Sequence, residues 1–116
     1  MSTGSYKIDW LGGRAVIAMP AEIDVTNADE ARQALVEAVS QGPAVLIIDM
    51  TATTFCDSAG VAAIITAYRQ ASAAGTQVLL VAPAVERILT LTGIGELIPM
   101  HATLDAAHAA GGESRG

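Results

Sequence analysis

Ser58 has the setting best suited to chemistry. It stands in Phe55-Cys56-Asp57-Ser58-Ala59-Gly60, a hydroxyl between an acid and two small residues. Immediately after it, Val61, Ile64, Ile65, Tyr68 and Ala71 recur at helical spacing up to Gly75, which puts Ser58 at or near a helix N-terminus. A hydroxyl there can attack as a nucleophile, accept a phosphate, or cap the helix. Plain capping requires only Ser58 as the N-cap, with Asp57 complementing the helix dipole. Modification requires that a kinase reach the hydroxyl, which small Ala59 and Gly60 allow, and the phosphate would then meet free helix N–H groups.

A nucleophile needs partners that the sequence does not supply. A serine-hydrolase elbow places glycine two residues before the nucleophile, where Cys56 stands, so that only Gly60 fits the pattern. The two histidines, His101 and His108, lie far along the chain from Ser58, and nothing in the spacing argues for a triad. There is no GxxxxGK[ST], no strand-linked GxGxxG, and no paired His or Cys ligand set. The expectation is a non-enzyme without cofactor or metal, on which other proteins act.

Other reactive types have simpler readings. Cys56, the single cysteine, reads as a small buried hydrophobe with no resolving partner. Asp49, inside an apolar run, reads as a strand-end or hydrogen-bonded carboxylate. Ser5, Thr53 and Thr54 are explained by turn polarity as readily as by phosphorylation. Trp10 and Tyr68 read as partly buried, and Met19, Met50 and Met100 as gap-fillers at strand ends.

The elements that must position Ser58 follow from periodicity and turn residues. Tyr6–Leu11 and Arg14–Met19, joined by Gly12-Gly13, predict a β-hairpin. Thr26 and Asp29 have capping-box spacing, and Ala28, Ala31, Leu35 and Val39 extend a helix over 26–41 to Gly42-Pro43. Ala44–Met50, apolar except for Asp49, predicts a central parallel strand covered on both faces. Thr51–Thr54 links it to the Ser58 segment. Gln77–Ala82 predicts another strand, and Pro83 opens a helix carrying Val85, Ile88 and Leu89 that Gly93–Gly95 ends. Leu97–Met100 predicts a short strand, Thr103 caps a last helix over Leu104–Ala110, and residues 1–5 and 111–116 read as flexible tails. The expected architecture is one α/β domain over 1–116: a mixed sheet with an N-terminal antiparallel hairpin, otherwise parallel strands, and helices packed on it.

Charge and composition narrow the partners. Twelve acidic and six basic residues give a net charge of −6, with −5 of it in residues 1–60. That field repels phosphate backbones and anionic lipids, which disfavours direct nucleic-acid binding. No long apolar run predicts membrane insertion, and neither a leader nor a disulfide pattern points to export, so a cytoplasmic location is expected.

Several ordered motifs resemble the STAS domains of the anti-sigma-factor antagonist family over nearly the whole chain. They are Ala21-Glu22-Ile23-Asp24, the strand ending Ile48-Asp49-Met50, Phe55-Cys56-Asp57-Ser58-Ala59-Gly60, and Leu91-Thr92-Gly93-Ile94. The chain departs from the pattern at Ala21, where the family often has glycine, and at Cys56, where a larger aliphatic residue is usual. The resemblance implies that Ser58 is phosphorylated by a cognate anti-sigma-factor serine kinase and dephosphorylated by a metal-dependent serine phosphatase. Glu22, Asp24, Asp57, Ser58, Ala59 and Gly60 would then form the partner-binding segment, engaged by the anti-sigma factor when Ser58 is unmodified so that sigma is released. A STAS-like docking subunit of an ABC-type lipid transport system, never phosphorylated, is the alternative the same fold allows.

Overall fold

Gly12 and Gly13 sit at φ +57° and +62°, a backbone region that side chains resist and a two-residue hairpin turn requires. They join β1, Ile8–Leu11, to β2, Arg14–Ala18, with Ile8 opposite Ile17 and Leu11 opposite Arg14. The molecule is known from a computed structural model that describes residues 6–111. The expected tails 1–5 and 112–116 lie outside the described residues.

The remaining strands of the main sheet are parallel. β2 pairs with β4, Val45–Asp49, which pairs with β6, Gln77–Val81, which pairs with β7, Met100–His101. The order β1-β2-β4-β6-β7 makes the apolar run of β4 the central strand, as its composition requires. Leu46 and Ile48 face one core and Val45 and Ile47 the other, so each face carries its own side-chain set.

Helices α1, Ala28–Ser40, and α2, Ser58–Ala74, cover the first face over Ala15, Ile17, Leu46, Ile48, Val78 and Leu80. Helix α3, Glu86–Leu91, the 3-10 turn Ile94–Glu96 and the segment after it add Leu89, Ile94 and Ile98 to this core. The second face, with Val16, Val45, Ile47, Leu79 and Val81, is closed by α4, Leu104–Ala110, through Ala107 and Leu104. Thr103 caps α4 as expected, its hydroxyl accepting from the Ala106 N–H at 3.1 Å.

Four local expectations need correction. Helix α1 begins at Ala28 behind Asn27, and the Thr26 hydroxyl donates to Asp24 instead of capping the helix. Pro83 lies in a turn, and α3 starts three residues later at Glu86; a fixed φ and a missing N–H suit a turn as well as a first helical turn. The strand expected at 97–100 is confined to Met100–His101, because the Leu97 and Ile98 N–H groups are bonded to the Ile94 carbonyl. Gly111 is buried and not part of a loose end: Arg14 donates to its carbonyl and to that of His108, each at 2.6 Å.

Candidate functional site

A second, two-stranded ladder builds the site. β3, Glu22–Ile23, and β5, Phe55–Cys56, run parallel with Glu22 opposite Phe55 and Ile23 opposite Cys56. The Thr54 N–H reaches the Ala21 carbonyl at 2.8 Å, and the Asp57 N–H reaches the Ile23 carbonyl at 3.1 Å. One residue beyond the ladder the two strands carry Asp24 and Asp57, so the loop entering α1 and the start of α2 lie side by side. Ile23 and Cys56 face inward, while Glu22 and Phe55 face solvent.

Asp57, not Ser58, is the N-cap of α2. Its Oδ1 accepts from the Ala59 and Gly60 N–H groups at 2.9 and 3.2 Å, which leaves Ser58 as the first helical residue. Ser58 is exposed, and its hydroxyl has no hydrogen-bond partner among the described residues. Two of the N–H groups expected to receive a phosphate are therefore already taken by a carboxylate. Ala59 is half-buried. Gly60 is buried beneath the helix start, where a Cβ would meet Cys56 Sγ at 2.6 Å and Ile23 Cγ2 at 2.9 Å. Its smallness lets the first turn of α2 sit on the ladder.

The loop beside Ser58 is fixed by its own side chains. Asn27 Nδ2 donates to the Glu22 carbonyl at 2.8 Å, and Asn27 Oδ1 accepts from the Asp24 N–H at 2.9 Å. The Thr26 hydroxyl and N–H both donate to Asp24 Oδ1 and hold its carboxyl below the usual carboxylate range. Buried Thr53 donates to the Pro20 carbonyl at 2.8 Å, which anchors the chain ahead of β5 and removes Thr53 from the reach of a kinase. Sequence reasoning missed Asn27, a cap-forming type immediately before the α1 repeat. It also missed Val25 and Phe55, 77% and 45% exposed, which are apolar residues stranded among polar neighbours.

The other chemical candidates do not join this site. His108 is on α4, on the other face of the sheet, its Nδ1 3.5 Å from Arg14 Nη1, and His101 is on the edge strand β7; neither makes a hydrogen bond to Asp57 or Ser58. Cys56 is buried and its thiol is pushed up to about 11, first by burial and then by Asp57. Asp49 is the last residue of β4, where its Oδ1 accepts from the Thr51 N–H at 3.0 Å. No group of metal-ligating side chains occurs among the described residues, and none of their helices is long and apolar enough to cross a membrane.

Comparison with known proteins identifies the family and the fold. A family model of the STAS domain matches residues 8–107. The crystal structure of an anti-sigma factor antagonist from Mycobacterium paratuberculosis is 30% identical, with 92% of each chain covered and a TM-score of 0.81. The anti-sigma factor antagonist SpoIIAA in its unphosphorylated form is 22% identical, with 89% of this chain and 92% of that one covered and a TM-score of 0.71. The Bacillus cell fate determinant SpoIIAA in its phosphorylated form is 21% identical over 90% and 97% of the two chains, with a TM-score of 0.67.

Proposed function

This chain belongs to the STAS domain family, and on that premise we propose that it is an anti-sigma-factor antagonist switched by phosphorylation of Ser58. The unmodified form binds an anti-sigma factor that is also a serine kinase, and sigma factor is released; phosphate on Ser58 ends the complex. The observation that carries this reading is the exposed, unbonded hydroxyl of Ser58 on a helix start that Asp57 already caps. The mycobacterial match supports the partner class, and a protein of the same fold, SpoIIAA, exists in both unphosphorylated and phosphorylated forms.

In the forward step the Ser58 oxygen attacks the γ-phosphorus of ATP held by the kinase. The new O–P bond forms as the bridging bond breaks, ADP leaves with the electron pair, and the hydroxyl proton passes to a base of the kinase or to solvent. A metal-dependent serine phosphatase returns the hydroxyl by transferring the phosphoryl group to water. The proposed cycle consumes ATP, and its proposed location is the cytoplasm.

The physics of release follows from the crowded helix start. Phosphate adds about −1.5 to −2 charge beside Asp57, and the helix dipole compensates only part of it. The fold tolerates this because Ser58 faces water. A docked partner does not: it excludes the water that screens the phosphate from Asp57, and a like charge within roughly 6 Å, at an effective dielectric near 20, costs about 3 kcal/mol, or about a hundredfold in affinity. Screening makes that an upper bound, and desolvation of the buried phosphate acts in the same direction. Glu22, Asp24, Asp57 and Ala59 form the accessible rim of the partner-binding segment around Ser58, and Gly60 supports it from below.

Two variants test the reading. Ser58→Ala should bind the host's anti-sigma-factor kinase and resist phosphorylation, whereas Ser58→Glu should bind weakly. Failure of the Ser58→Ala form to bind any such partner would contradict it and favour a docking role without phosphorylation.

A further inference from the structure

Between the N-terminal halves of α1 and α2 runs a groove of about 310 Å³, lined by Val25, Ala28, Ala59, Ala62, Ala63 and Thr66. Four alanines and Val25 supply most of its wall, with the Asp29–Arg32 pair on the α1 side, so the two helices come close without filling the space above their contact. Val25 stands 77% exposed at the mouth, an apolar side chain that nothing among the described residues covers. The groove opens beside Ser58, because Ala59 is both the residue after Ser58 and part of its lining.

Acidic side chains outnumber basic ones around the groove. Glu22, Asp24 and Asp57 stand at the end where the two helices start, and Asp29 and Glu30 occupy the first turn of α1. Arg32, in the groove wall, and Asp29 form an ion pair at 2.5 Å in which the two charges offset each other. The next cation on α2 is Arg69, beyond Thr66, towards the other end of the helix. The apolar floor therefore carries an acidic rim at the Ser58 end, formed by Glu22, Asp24 and Asp57, and among the described residues no unpaired positive charge stands there to repel a cationic partner.

We infer that this groove is the specificity pocket for the kinase that modifies Ser58: it seats one medium-sized apolar side chain of the kinase, carried on a segment whose flanking residues are basic. This rests on the reading of Ser58 as the phosphorylated serine. The apolar anchor supplies buried contact where small residues leave room, and the basic flank meets Glu22, Asp24 and Asp57. Anchoring at Ala59 and Ala62 holds the partner within one helical turn of the reacting hydroxyl, so recognition and modification share one face.

Filling the groove separates this claim from the Ser58 reading. Ala62 is exposed and helical, so Ala62→Trp occupies the groove without entering the core; Ser72→Trp, outside the groove on the same helix, controls for bulk. With each anti-sigma-factor kinase of the host, the wild type and Ser72→Trp should bind alike and Ala62→Trp about tenfold more weakly or worse. The KM for Ser58 phosphorylation should rise by a similar factor, and wild-type binding should weaken several-fold between about 0.1 and 0.5 M salt. Binding of Ala62→Trp as tightly as wild type, or wild-type binding insensitive to salt, would overturn the groove assignment and leave the Ser58 reading standing. Wild-type protein that binds no such kinase would overturn both.

Discussion

Gly60, on the first turn of α2, lies so close over Cys56 that a Cβ on it would stand 2.6 Å from Sγ. Helix start and ladder are packed as one unit, and the exposed serine two residues earlier inherits its position from that contact. Gly60→Ala must displace the helix start or the strand beneath it. The expected cost is about 1–3 kcal/mol by denaturant unfolding, typical of overpacking. Cys56→Ala in the same chain should return only part of it, since Ile23 Cγ2 remains at 2.9 Å. Wild-type stability of Gly60→Ala would contradict the packing.

Asp57 performs two tasks that substitution separates. Asp57→Ala should lose about 1 kcal/mol of stability with the cap, whereas Asp57→Asn should keep most of the cap and lose only the charge. In the phosphorylated protein Asp57→Asn should therefore be the more stable of the two, measured as the change in melting temperature between matched phosphorylated samples.

The Asp24 carboxyl is expected to titrate below 3.8 in a carboxyl NMR titration, because the Thr26 hydroxyl and N–H stabilise its charged form. Its folded value is lower than its unfolded one, so the stabilisation is complete above the unfolded range near about pH 4 and is lost as pH falls through the folded value. Thr26→Val should move the midpoint upward. Identical midpoints in the two proteins would remove the hydroxyl as the cause.

Arg14 ties the end of α4 to β2 through two carbonyls at 2.6 Å. Arg14→Lys keeps the charge and loses the fork, so amide exchange in α4 should quicken, with a stability loss of about 1–3 kcal/mol. The β1–β2 hairpin should exchange as in the wild type.

The main sheet was legible because its signals are long or stereochemically costly. The apolar run at β4 needs cover on both faces, Gly12-Gly13 permits the positive φ of the hairpin turn, and Thr103 is an N-cap by residue type. The β3–β5 ladder was not legible: each strand has two residues, too few for any period to show, and their pairing joins positions 33 apart. The same limit hid the division of labour at the site. Asp and Ser are both good N-caps, and only the hydrogen bonds from Ala59 and Gly60 to Asp57 assign the cap to one and leave the other free. Thr26 and Asn27 posed the same choice at α1, and there the hydroxyl turned back to Asp24.

The central claim is tested most directly by intact-mass analysis with site mapping, after incubation of the full chain with ATP, magnesium and each anti-sigma-factor kinase of its host. The expected result is a single added phosphate, on Ser58, in the reaction with the cognate kinase. An unmodified chain with every kinase, or a phosphate placed elsewhere while Ser58 stays free, would contradict the account and leave Ser58 as the first residue of a capped helix.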